Sequence, residues 1–140
     1  MANLVSKELR TAILQSYFNR SAAPVNLYVH LFQDAAPIVE ETTMADLAPY
    51  VQTGSGYAPS VIGAGDWTIE QGAGGTRARL ADQTWTSTAD DWGTLRWAVI
   101  SDQPDYSGQV LLARDYGTGK SIYGIGANIT VDDLFYQLND

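Results

Sequence analysis

The residues best suited to chemistry in this chain are few and scattered. Asp115-Tyr-Gly-Thr-Gly-Lys-Ser121 ends in the Gly-Lys-Ser of a phosphate-binding loop, in which backbone amides and a lysine cradle phosphates. Such a loop needs a leading glycine and a following helix whose N-terminus faces the phosphate. Arg114 holds the leading position, and the strand-like, glycine-broken Ile122-Tyr-Gly-Ile-Gly126 follows, so the spacing predicts a hairpin turn at 117–119 instead. His30 is the one histidine, and there is no thiol to support it. A Ser-His-Asp or metal-histidine site would have to use it, yet it lies mid-strand among apolar neighbours and reads as a packed residue. The doublets Glu40-Glu41, Asp90-Asp91 and Asp132-Asp133 supply carboxylates. A glycosidase sets its two carboxyl groups about 5–10 Å apart across a cleft, whereas adjacent strand residues point to opposite faces. Asp102 and Asp105 flank Pro104 without the pattern of a calcium loop. No catalytic residue, metal ligand or cofactor site is assigned, and the expectation is a protein that is not an enzyme. Trp67 and Trp92 stand near turns and are the candidates for stacking on a sugar. Trp85 and Trp97 fall in strand patterns and read as core.

The composition narrows the partners. The chain has 140 residues and a net charge of −8, which repels nucleic-acid phosphate and anionic lipid, so neither nucleic acid nor membrane is expected. With 45% apolar and 17% charged residues it has the makings of a core. The absence of cysteine excludes disulfides and thiolate metal sites. No apolar run reaches membrane-spanning length, and the first residues lack the pattern of a secretory signal. One domain over 1–140 is expected.

The elements that must position these residues follow from periodicity. Val5, Leu9, Ala12, Ile13 and Tyr17 form a helical stripe, which predicts a helix over about 4–18 with Asn3 as N-cap and a stop at 19–24. From 25 to 32 the period becomes two, that of a strand. Residues 33–56 read as a long loop with one helical turn at 43–47, and long loops are frequent places of binding. Residues 57–62 read as an edge strand because Pro59 has no N–H to donate. Short strands are predicted at 67–71, 76–81, 84–87, 94–101, 109–116, 121–125 and 134–138, with Gly- and Asp-rich turns between them. In 94–101, alternation places Leu95, Trp97 and Val99 on one face and Arg96, Ala98 and Ile100 on the other, and Gly93 supplies a positive φ. The fold expected is mainly β: an antiparallel β-sandwich, jelly-roll-like, with one N-terminal α-helix.

Taken in order, several segments resemble a family of small bacteriophage structural proteins, described as tail-fibre-like or virion proteins. They are Leu27-Tyr-Val-His-Leu-Phe32, Gly54-Ser-Gly-Tyr-Ala58, Ala89-Asp-Asp-Trp-Gly-Thr-Leu-Arg-Trp-Ala-Val-Ile-Ser-Asp102, Ser107-Gly-Gln-Val-Leu-Leu-Ala-Arg114 and Asn128-Ile-Thr-Val-Asp-Asp-Leu-Phe-Tyr-Gln-Leu138. The resemblance implies a virion location and no catalytic residues. It implies other phage structural proteins, of the tail or the major capsid, as partners, together with a homo-oligomeric state. A tail or tail-fibre role comes first on this resemblance, and a capsid decoration (cement) protein second. A carbohydrate-binding module built on Trp67 and Trp92 is the rival from another class. The candidate interface is the helix with the long loop: Val5, Leu9, Tyr17, Glu40, Glu41, Leu47 and Tyr50.

Overall fold

The alternating segments assemble into antiparallel sheets, so the chain is mainly β with one substantial helix. The computed structural model describes residues 3–18, 26–33, 38–72, 74–122, 124–132 and 134–139. The predicted helix stop at 19–24 and Asp133 of the third acidic doublet lie outside the described residues.

Strand β1 (Asn3–Val5) is followed by helix α1 (Lys7–Phe18), so the helix begins three residues later than its apolar stripe suggests. Asn3 is not its cap, because β1 is drawn into the ladder with Arg114, Ala113 and Leu112. Ser6, 1% exposed, caps instead: its Oγ accepts from the Leu9 N–H at 3.0 Å, while its own N–H donates to the Leu111 carbonyl. Strand β2 (Leu27–Phe32) follows, and the long segment after it contains α2 (Met44–Leu47) and a 3-10 turn at Ala48–Tyr50. The helical turn expected at 43–47 forms because Thr43 and Asp46 cap each other's backbone reciprocally.

Strand β3 (Ser60–Ile62) lies at a sheet edge directly after Pro59, as the missing proline donor requires. The remaining strands are β4 (Trp67–Gly72), β5 (Gly75–Leu80), β6 (Gln83–Thr86), β7 (Gly93–Ser101), β8 (Val110–Ile122), β9 (Asn128–Val131) and β10 (Phe135–Asn139). They form a five-stranded sheet in the order β1-β8-β7-β2-β3, a three-stranded sheet β10-β5-β4 and a two-stranded ladder β6-β9. Strand β7 is central, and its last five residues are all buried. Each large aliphatic side chain so buried contributes about 1.5–3 kcal/mol.

The expected hairpin at 117–119 is corrected. Strand β8 runs through to Ile122, and Gly117 (φ 74°) belongs to a bulge within it. Leu95 pairs with Lys120 but Trp97 pairs with Asp115, so two steps along β7 meet five along β8. Such a bulge re-aims side chains, and that changes the faces of β7. Leu95 joins Ala98 and Ile100 in one core, while Trp97 and Val99 turn to the other. The simple alternation expected for 94–101 therefore fails at its start. Gly93 does take a positive φ, 73°, where the chain enters β7.

The first core joins Val29, Leu31, Ala98 and Ile100 of the five-stranded sheet to Leu80 of β5, Trp85 of β6 and Ile129 of β9. The second lies on the opposite face, where Phe32, Trp97 and Val99 are roofed by Ile38, Met44 and Leu47 of the long segment.

Candidate functional site

The residues with chemical potential turn out to brace loops. Trp92 is 1% exposed, so neither face of its ring is offered to a sugar, and the expectation of an exposed Trp92 is corrected. The cause is the segment 52–57, which wraps it. Trp92 Nε1 donates to the Ser55 carbonyl at 2.7 Å, the Tyr57 ring meets it edge-on at 5.7 Å, and the Gln52 amide donates to the Trp92 carbonyl. Gly54 lies so close beneath the indole that a Cβ there would stand 2.2 Å from Trp92 Cγ. Asp91 fastens the same wrap, its Oδ1 accepting from the Ser55 N–H at 2.9 Å and its Oδ2 from the Ser55 hydroxyl. These bonds hold the Asp91 carboxyl below its ordinary range. Asp90 accepts from the Gly124 N–H at 2.6 Å, Asp102 from the Gln109 N–H at 2.8 Å and Asp105 from the Ser107 N–H at 2.9 Å. The carboxylates are thus turn braces. Among the described residues no three metal-ligating side chains are grouped.

His30 is also structural. It is 1% exposed, and its Nε2–H donates to the Gln103 carbonyl at 3.0 Å, tying β2 to the loop after β7. The ring stacks near Phe32 at 6.3 Å and lies tilted to Tyr106 at 6.2 Å, and Nδ1 has no hydrogen-bond partner among the described residues. Burial lowers its pKa, against the opposing pull of the Gln103 hydrogen bond and the Asp105 charge. The phosphate-loop residues are likewise in use. Gly117 N–H donates to Asp115 Oδ1 at 2.8 Å, the same oxygen faces Arg96 Nε at 3.3 Å, and among the described residues no helix follows.

The candidate interface residues divide. Leu47 is 3% exposed in the second core and is not free to meet a neighbour, so that expectation is corrected, while Val5 is half-buried against the first core. Their burial follows from the capped turn at 43–47 and from the pairing of β1. Tyr50 is 39% exposed and Glu41 is exposed, while Glu40 meets Arg10 of α1 at 2.9 Å. Tyr17 lies in α1, and its side chain is outside the described residues.

Leu9 leads to a feature the pattern did not suggest. With Ile13 it roofs a half-open cavity of about 180 Å³, whose floor includes Leu111, Trp67, Ala78 and Tyr136. Its walls present no polar atom. Trp67 is therefore half-buried in this wall, and with Trp92 buried the two rings do not make an exposed platform. Ile69, 68% exposed, pairs with Ala78 and so shares the face that forms the floor. The alternation Trp67-Thr-Ile-Glu-Gln71 showed one apolar face, but which neighbour covers a strand is not encoded in its own period.

No protein-family model matches the chain, and no curated protein matches it. Among the described residues no helix is long and apolar enough to cross a membrane.

Proposed function

We propose that this chain is a non-enzymatic structural component of a bacteriophage virion, associated with the tail or tail fibre. It acts by self-assembly and by contacts with other phage structural proteins, and its sheets form a jelly-roll-like sandwich. The observation that carries this reading is the use made of its polar residues. Asp90, Asp91 and His30 bond backbone groups of loops distant in sequence, and Asp102 and Asp105 brace the turn in which they lie. That pattern stiffens a surface; it does not converge on a substrate. The sandwich is supported by the first core, in which side chains of all three sheets meet. The resemblance of the ordered segments to small phage structural proteins supports a virion location.

Quantitative mass spectrometry of purified particles, scaled to the major capsid protein, tests the reading. A few to a few dozen copies per particle is the expected result and fits a tail position. Hundreds of copies would replace the tail by a decorating role on the capsid. Absence from particles would overturn the proposal.

A further inference from the structure

We propose that β4 is a self-pairing edge through which two copies of this chain join antiparallel about a two-fold axis at Ile69. The inference rests on the reading of the chain as a self-assembling protein, and names the surface and the partner. Strand β4 ends the order β10-β5-β4, and among the described residues no strand pairs with its outer side. Thr68, Ile69 and Gln71 are exposed there.

Proteins blunt free edges with short strands, prolines, lysines or bulges. The two ends of the five-stranded sheet follow that rule, since β1 and β3 are three residues each and Pro59 precedes β3. Strand β4 does not. Its six residues contain no proline and no lysine, and they pair with β5 without a register shift. Its one charge, Glu70, is held by Arg77 at 2.5 Å and Arg79 at 3.0 Å. On a chain of net charge −8 the carboxylate of this edge is thus neutralised within its own copy, which eases the approach of a second copy there.

The strand is self-complementary in one register. A two-fold axis normal to the sheet keeps like faces together and sets each residue opposite its mirror position. Centred on Glu70, it opposes two carboxylates; centred on Thr68, it opposes Asp66 to Glu70. Both are unfavourable, because like charges directly opposite destabilise a ladder. Centred on Ile69, it pairs Ile69 with Ile69, Thr68 with Glu70 and Trp67 with Gln71. That register joins every position from 67 to 71 and adds a β-branched cross-strand pair. It also brings the exposed Ile69 of each copy beside the other, on the side where Ala78 floors the cavity.

The chain has no cysteine, which allows a direct test. Opposed residues of an antiparallel pair have Cα atoms about 4.5–5.5 Å apart, within disulfide reach of about 4.4–6.8 Å. The full chain is expected to sediment as a dimer at high micromolar concentration, and Ile69→Cys to give a covalent dimer on mild oxidation. Thr68→Cys and Val61→Cys are expected not to cross-link, the latter being a control on an equally exposed residue of another edge. Ile69→Lys is expected to be a monomer with unchanged thermal unfolding at low concentration. A monomeric wild type at every concentration, an oligomer that survives Ile69→Lys, or cross-linking through Thr68→Cys as fast as through Ile69→Cys would each overturn the proposal. A chain that is monomeric alone but present in particles overturns the edge pairing and leaves the virion reading intact. A dimer that is absent from particles does the reverse.

Discussion

The two apolar cores on either side of the five-stranded sheet are stitched differently. In the first, both indoles find acceptors: Trp85 Nε1 donates to the Ala58 carbonyl and Trp92 Nε1 to the Ser55 carbonyl, each at 2.7 Å. Those bonds tie segments 27 and 37 residues apart in sequence. In the second, Trp97 Nε1 and His30 Nδ1 are buried and have no hydrogen-bond partner among the described residues, while beside the first Gln52 Oε1 is in the same position. An unpaired buried donor or acceptor costs about 1–3 kcal/mol. The first core is therefore held by packing and directed bonds together, and the second by packing against a bill of desolvated polar atoms. The difference teaches where this molecule is over-determined and where it has slack.

The largest effect expected from breaking this contrast is at Trp92. Trp92→Ala removes the ring, its bond to Ser55 and the wall against which Gly54 lies, and is expected to lower the unfolding free energy by about 3–5 kcal/mol in urea titrations. A loss below about 1 kcal/mol would mean that the 52–57 wrap does not depend on it.

A paired substitution sharpens the contrast. Trp92→Phe and Trp97→Phe shrink the side chain equally, but only the first breaks a hydrogen bond, and only the second deletes an unpaired donor. Trp97→Phe is expected to be the milder by about 1–3 kcal/mol. Equal losses would erase the distinction between the cores.

Acidification addresses the second core alone in one window. His30 is kept neutral by burial, with its folded pKa below the ordinary 6.5. The unfolded chain thus binds the proton first, and stability falls as pH drops through about 6.5 toward the folded pKa. The carboxyls of Asp91 and Asp105, lowered from 3.8 by their hydrogen bonds to serine, lose their contribution only in a more acidic range. Melting temperatures at pH 7.5 and 5.5 are expected to fall for the wild type and to stay level for His30→Gln. A slope that persists in the variant would place the titrating group elsewhere.

The smallest effect is expected where the two regions are tied at the surface. Arg10 of α1 and Glu40 of the second core's roof are each nearly half exposed, and Glu40→Gln is expected to change stability by about 0–1 kcal/mol, fading with added salt. A larger, salt-resistant loss would make the helix part of the roof.

Local chemistry was legible in the sequence, and long-range neighbours were not. The segment 43–47 announced a helical turn, Pro59 an edge, and the alternation in 25–32 a strand, because each signal acts within a few residues. The late start of α1 was not readable. Asn3 is a good cap by type, but Leu112 and Arg114 capture its segment from the far end of the chain. Glycines at 117 and 119 looked like a turn, because a bulge uses the same positive φ as a hairpin. Of the candidate interface, Leu47 was misplaced because an apolar residue on a capped turn reads alike whether the turn faces solvent or a core. Trp92 was misplaced because its cover, Gly54 to Tyr57, lies more than thirty residues upstream. The cavity under α1 draws its walls from seven elements, and no single stretch announces it.

The order in which strands find partners has a consequence for synthesis. Strand β2 pairs with β3 over its first three residues and with β7 over its last five, and β1 pairs with β8. At about 5–20 residues per second, the interval between the end of β2 and the end of β7 lasts roughly 3–14 s. For that time Leu31 and Phe32 have been made and the strand that buries them has not. The β4–β5 hairpin, complete within fourteen residues, is the piece of sheet that forms while the chain waits.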